Sequence, residues 1–315
     1  MAITAATKTS DFSGFIPAEI ASPIFERAAR QSVVMQLAPQ EPLSFQGKSI
    51  PVVTGRPVAG WVDEGAKKPA TQGTMTLASL TPKKLAAIVV TSMEVVRANP
   101  GGYATSLREQ LAEAFAIAFD YATLHNLGGD GTGTGPFTTS LSSTTKSVEL
   151  GGSTQATGGI YKDLTDAAQE VINDRDASGR RYRFTGTALD ASAEMPIRAA
   201  VDTTGRPLWV DLPMDAEAAG LSARGQLLGR PSYIGDGVAD PNDHVRGFVG
   251  DWTMARWGVV GGINYDVSDQ ATVTINGSLV SLWEQNLVAV RAEAEYGFVV
   301  ADADAFCQLR NDSGS

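Results

Sequence analysis

The chain has 315 residues, of which 25 are Lys or Arg and 35 are Asp or Glu, so 25 − 35 leaves a net charge of −10 with the histidines neutral. A protein that grips nucleic acid or an anionic membrane surface carries a positive footprint, and this balance excludes either as a general role. No apolar run reaches the roughly eighteen residues of a membrane-spanning helix, the opening MAITAATKTSDFSGF lacks the apolar core of a signal peptide, and a lone cysteine, Cys307, excludes an internal disulfide, so the expectation is a cytoplasmic product.

Residues 1–50 read as an arm: polar at first, then IPAEIASPIFERAARQSVVMQL, in which Ile20, Ile24 and the alanines after Phe25 suggest a short amphipathic helix. Residues 51–94 read as a hairpin ribbon. Its flanks, SIPVVTGRPVAGWV and TMTLASLTPKKLAAIVVTS, are rich in Val, Thr, Ile and Leu and predict extended chain. Between them lies WVDEGAKKPATQGT, with Lys67 and Lys68 at an exposed tip punctuated by Pro69 and Gly73. A two-stranded ribbon has little core of its own and is marginal unless covered. The cover expected here is another copy of the protein.

The segment NPGGYATSLREQLAEAFAIAFDYATLHN predicts a helix over 103–126, where Ser106 and Glu109 fit a capping box. Leu107, Leu111, Phe115, Ala118 and Ala122 recur on one face, which makes the rod a spine for a flat molecule. A Gly- and Thr-rich stretch then leads to a second helix in IYKDLTDAAQEVINDRD, and short strands and helices alternate to about residue 262, forming a second lobe. In NLVAVRAEAEYGFVV the even positions Val288, Val290, Ala292, Ala294, Tyr296, Phe298 and Val300 are uncharged, while Arg291, Glu293 and Glu295 are odd. Strict alternation predicts a long strand with one face on a core and a charged face available as an interface.

Catalytic equipment is scarce. Only His125 and His244 are present, which excludes a His-rich metal site, and His125 reads as a cation suited to a helix C-terminus. No serine has the G-x-S-x-G flanks of a hydrolase nucleophile. GGDGTGTGP lacks the Lys-Ser/Thr of a phosphate loop and follows a helix rather than a strand, so it reads as a turn. Cys307, beside Phe306, reads as a buried small residue. Asp163 with Asp166, and Asp302 with Asp304, read as solvated acids. No enzyme activity, cofactor or metal is expected.

The order of arm, ribbon, spine helix, second lobe and long strand resembles the major capsid proteins of tailed bacteriophages, an α+β fold named after phage Hong Kong 97. The resemblance rests on DEGAKKP, TSMEVV, the spine helix followed by GGDGTGTGP, AAVDTTGRPLW, GQLLGRPSYIGDGV, GFVGDWTMARWGVVGG and NLVAVRAEAEYGFVVADADAF, and it spans roughly residues 15–310. It implies an N-terminal arm at 1–50, an extended loop at 51–94, a peripheral domain at 95–157 with 263–315, and an axial domain at 158–262. It also implies hexamers and pentamers in an icosahedral shell, assembled in the bacterial cytoplasm around double-stranded DNA that is enclosed without specific binding. A portal protein, a scaffolding protein or maturation protease, and a decoration protein are the implied partners.

In such shells the ribbon lies over a neighbouring subunit and the arm reaches across another. Trp61, Glu64, Lys67 and Lys68 on the ribbon and Arg291, Glu293 and Glu295 on the last strand are therefore the expected subunit interface. The founding member joins a ribbon lysine to a neighbour's asparagine with help from a glutamate, and the matching positions are Lys68, Asn286 and Glu293. The amine, with a reference pKa of about 10.4, must lose its proton before attacking the amide, and a carboxylate in an apolar place can take it. The alternative is a plain salt bridge between subunits. Asn286 and Glu293 sit on opposite faces of a regular strand, so they could cooperate only from different subunits. Two other functions stay open: an encapsulin shell holding an enzyme cargo, and, more distantly, a soluble hydrolase. Particle mass separates the hydrolase from either shell.

Overall fold

The computed structural model describes residues 32–311 apart from 56, 58, 65–66, 69, 95–99, 155–156, 202–206, 208, 212–223, 241–243 and 276, and describes only the backbone of 100–106, 108–109, 211 and 224. Ile20 and Ile24 of the expected arm helix, the Ser106 and Glu109 side chains, and Pro69 of the ribbon tip lie outside it. The chain becomes describable at helix α1 (Val33–Leu37), whose Ser32 cap accepts a hydrogen bond from the Met35 amide. Helix α2 (Pro100–His125) is the expected spine, and Leu107, Leu111, Phe115, Ala118 and Ala122 are all buried as their spacing predicts.

The ribbon consists of β1 (Lys48–Gly55) and β2 (Thr74–Leu80), antiparallel from Lys48 opposite Leu80 to Gly55 opposite Thr74. Its return strand is shorter than the continuous run TMTLASLTPKKLAAIVVTS suggests. Pro82 has no amide proton to offer a ladder, the chain turns there, and β3 (Lys83–Ser92) leaves the ribbon to pair with β13 (Leu287–Val300). Leu80, almost wholly buried, roots the ribbon against Gly258 and Gly297.

Strand β10 (Ala255–Ser268) completes a three-stranded sheet in the order β10-β13-β3. The β10–β13 register slips between Val260 and Asn264, where Gly261 and Gly262 adopt φ of +70° and +90°, a conformation open to glycine at no steric cost. The even-numbered face of β13 packs on the spine helix, as alternation predicts. Phe119 of α2 is the hub, with ring centroids 5.2 Å from Tyr296, 5.8 to 6.4 Å separating the neighbouring Phe137–Phe298 and Phe119–Phe298 pairs, and Trp257 at 6.1 Å.

The remaining described strands are β4 (Ser147–Glu149), β5 (Gly186–Leu189), β6 (Trp209–Asp211), β7 (Arg224–Leu227), β8 (Arg230–Ile234), β9 (Val245–Gly250), the small hairpin β11 (Thr272–Ile275) with β12 (Ser278–Ser281), and β14 (Phe306–Arg310). Seven of them form a mixed sheet in the order β4-β14-β9-β5-β8-β7-β6, flanked by α3 (Gly159–Asn173) and α4 (Ala191–Ala199). The C-terminal strand β14 thus pairs with β9, antiparallel from Phe306 opposite Gly250.

Buried Asp120 ties the start of the described chain to the spine: its carboxylate accepts from Ser32 Oγ at 2.6 Å and from the Val33 and Val34 amides at 2.9 and 3.3 Å. Burial pushes this carboxyl up from 3.8 to about 7, against the pull of those three donors. A folded-state value above the unfolded one means that the stability contribution is complete below about pH 4 and is lost as pH rises through about 7. Asp120→Asn is therefore expected to flatten the pH dependence of urea midpoints between pH 4 and 7, removing a slope of at most about 1.4 kcal/mol per pH unit. An unchanged slope would show that the carboxylate is ionised throughout.

Candidate intersubunit surface

The ribbon presents two unlike faces. Register places Pro51 opposite Leu77 and Val53 opposite Met75, so these four side chains share one face, where cross-strand neighbours touch. That face is bare: Met75 is 70% and Leu77 66% exposed, with Val53 at 43%. Phe45, just before β1, is 76% exposed. Ile50, Val52 and Ala78 on the opposite face are half-buried against the body of the subunit. A contiguous uncovered apolar stripe on a chain of this size marks an interaction surface. Sequence reasoning expected another copy to cover the ribbon but named interface residues only at the tip and on the last strand, not these four, although the alternation in SIPVV and TMTL carries them.

At the tip, Trp61 is fully exposed, and Glu64, Lys67 and Lys68 are exposed too, as expected of a projecting turn. The charged face of β13 is laced within the subunit. Arg291 Nη2 meets Asp266 Oδ2 at 2.6 Å, Arg291 Nε lies 3.7 Å from Glu293 Oε1, and Lys84 Nζ reaches Glu293 Oε2 at 3.2 Å. Asp266, and then Glu293, hold the Arg291 guanidinium above its ordinary value. Glu295 stands opposite Lys84, and half-exposed Ile88 stands opposite Arg291. Exposed pairs of this kind are worth about 0–1 kcal/mol each, so they shape the surface more than they stabilise the fold. Asn286 is exposed on the turn before β13 with φ of +53°, and its carbonyl accepts from the Met93 amide. Lys68, Asn286 and Glu293 are on three separate features: the ribbon tip, this turn, and the sheet face.

Other candidate groups have local duties. His125 closes the last turn of the spine helix, as expected, and is buried there: Nε2 lies 2.8 Å from the Val238 carbonyl oxygen, while Ser142 Oγ at 2.8 Å and Asp240 Oδ2 at 3.7 Å both approach Nδ1. Serine and aspartate compete for one nitrogen and the other is held by backbone, so this trio lacks the geometry of a nucleophile, base and orienting acid. Cys307 is buried, and burial first, then Glu170, pushes its thiol up to about 12. The glycine loop closes on itself through Gly128 N to Thr132 O and Gly135 N to Asn126 O.

Two acids read as solvated prove otherwise. Asp163 is buried because it accepts from the Gly151 and Ser153 amides, pinning the loop before α3, and Asp302 accepts from the Tyr182 hydroxyl and the Asp304 amide. Asp166 does face solvent, paired with Lys162. Among the described residues no group of three or more His, Cys, Asp or Glu is placed to hold a metal, and no helix is long and apolar enough to cross a membrane.

Comparison with known proteins agrees with this architecture. The chain is 38% identical over 311 residues to a probable major capsid protein of Mycobacterium phage D29, covering 98% of this chain and 93% of that one. It is 39% identical over 316 residues to the corresponding protein of Mycobacterium phage L5, covering 98% and 92%. Among solved structures, one from Mycobacterium phage Ogopogo superposes with a TM-score of 0.68 at 24% identity over 89% of this chain and 92% of that one, and one from Mycobacterium phage Cain with 0.67 at 17% over 99% and 100%. These likenesses support the α+β capsid fold, and because residues 13–311 match the family described as "Phage capsid family", the chain belongs to that family.

Proposed function

We propose that this protein is the major capsid subunit of a tailed bacteriophage, a structural protein whose copies assemble into hexamers and pentamers of an icosahedral head around double-stranded DNA. The observation that carries it is the bare stripe of Pro51, Val53, Met75 and Leu77, an apolar face that no described residue of its own subunit covers and that suits burial against another copy. The net charge of −10 supports a container that encloses DNA without gripping it. A portal protein, a scaffolding protein or maturation protease, and a decoration protein are the partners such a head requires or admits.

Contact between subunits is non-covalent in this proposal. Glu293 already has one carboxylate oxygen facing Lys84 and the other facing Arg291, which leaves it poorly placed to take a proton from a neighbour's Lys68. Purified protein is expected to run as megadalton particles that collapse, after boiling in reductant, to a single band at the subunit mass of 33.0 kDa. A ladder of multiples that disappears in Lys68→Arg would instead establish a covalent clasp involving Asn286 and Glu293. A species of monomer or dimer size under all conditions would overturn the shell itself.

A further inference from the structure

Beneath the inner face of the ribbon lies a cleft of about 420 Å³, between β1, the loop after α3 and the one-turn helix Trp252–Met254. Ile50, Val52, Met254 and Val299 give it an apolar floor, and Arg180 and Arg256 stand at its walls. The two guanidiniums have no ion-pair partner among the described residues; Glu41 and Asp176 feel them only at longer range. The acids that share the cleft are already engaged. Asp176 accepts from the Ser178 amide and hydroxyl and from the Arg180 amide, at 2.6 to 3.0 Å, and Asp302 is held by Tyr182 and Asp304. The cleft has room for large side chains and suits an apolar group accompanied by an acid and no base.

A second uncovered feature of the same subunit matches it. On the hairpin of β11 and β12 and the turn that follows, Leu279 is 78% and Trp283 74% exposed. Glu284 beside them is exposed and has no ion-pair partner among the described residues. No Lys or Arg occurs between Arg256 and Arg291, so this knob brings an acid and no base. The other bare tryptophan among the described residues, Trp61 at the ribbon tip, is followed by Lys67 and Lys68 and would set cations against the arginines.

We propose that the cleft receives Leu279 and Trp283 of a second copy of this chain, with Glu284 of that copy set against Arg180 and Arg256. Cleft and knob are both left open within one subunit, so the contact forms between copies. An indole suits a site walled by guanidiniums, because the cation is drawn to the ring face, and tryptophan and arginine recur where interface energy concentrates. The two patches are unlike, which makes the contact heterologous: each copy gives its knob to one neighbour and its cleft to another, and such a contact closes into a ring. This inference rests on the shell reading and deepens it by naming two surfaces that meet.

The test uses particles of the full-length chain carrying Ala177→Cys at the cleft and Gln285→Cys beside the knob, both exposed positions; buried Cys307, with its raised thiol, does not compete. Mild oxidation is expected to give a non-reducing ladder of multiples of 33.0 kDa, absent when either cysteine stands alone. Adding Trp283→Ala should lower the linked fraction about tenfold, the loss typical of a tryptophan at the centre of an interface. A single band at the subunit mass from intact particles, or equal linking by one cysteine alone, would overturn this contact and leave the shell standing. A chain that stays monomeric in every form would overturn both. If the cysteine variant yields no particles, a charge swap decides. Arg180→Glu should lower particle yield with the thermal unfolding curve unchanged, and Glu284→Arg in the same chain should restore it; a yield that Arg180→Glu leaves intact, or that Glu284→Arg fails to restore, refutes the pairing.

Discussion

Met75→Asp combined with Leu77→Asp is expected to abolish particle formation while leaving a folded subunit. Both side chains are about two-thirds exposed or more in the isolated subunit, so their replacement costs the fold little, within the roughly ±0.5 kcal/mol typical of surface changes. In an assembly the balance reverses. Covering each of these apolar side chains contributes on the order of 1.5–3 kcal/mol, and putting an unpaired carboxylate there adds a desolvation cost of several more. The loss recurs at every subunit contact, which makes assembly all-or-none over a small range of concentration. Sedimentation and electron microscopy should show wild-type shells and variant oligomers no larger than a capsomer, with matching thermal unfolding curves. Wild-type particle yield from the double variant would show that the stripe faces solvent in the shell and that the interface lies elsewhere.

Phe119→Ala is the second large effect, and it acts on the fold. This ring joins the spine helix to the even face of β13 and meets Tyr296, Phe298, Phe137 and Trp257 edge-on or tilted. Truncating a buried aromatic of this kind costs about 3–5 kcal/mol from lost transfer energy and the cavity left behind. Set against a total of about 5–15 kcal/mol for an ordinary domain, that removes much of the margin. Chemical denaturation should show a midpoint shift of this size, with little soluble protein recovered at physiological temperature. Ile172→Ala, on the exposed side of α3, should change stability by less than about 0.5 kcal/mol. Equal effects from the two changes would remove Phe119 as the hub.

Much of the architecture was legible because two of its signals are local. A run of apolar residues at helical spacing has one stable solution, and the spine helix was found to within three residues of its observed start, with the five predicted core positions buried. The alternation from Val288 to Val300 likewise has one solution, a strand with one buried face. Less legible were pairings that local pattern does not encode. TMTLASLTPKKLAAIVVTS reads as a single extended run, yet its first half pairs with β1 and its second half with β13, some two hundred residues later in the chain, because Pro82 breaks the ladder. Asp163 and Asp302 look like surface acids in a string of letters; Asp163 becomes a buried acceptor and Asp302 a half-buried one only when the chain brings distant donors to them.

The sequence by itself therefore determined the elements, their order and the resemblance to capsid proteins, since helical and strand periodicities and turn residues are properties of neighbouring positions. Only the tertiary structure decided which faces were left over. Glu293 became an internally paired acid when β3 brought Lys84 beside it, and Pro51, Val53, Met75 and Leu77 became a candidate interface when register put them on one face of a ribbon whose other face was already turned toward the subunit. A surface is available for a partner only after a chain has used its remaining surfaces on itself, and that remainder depends on contacts between residues far apart in sequence.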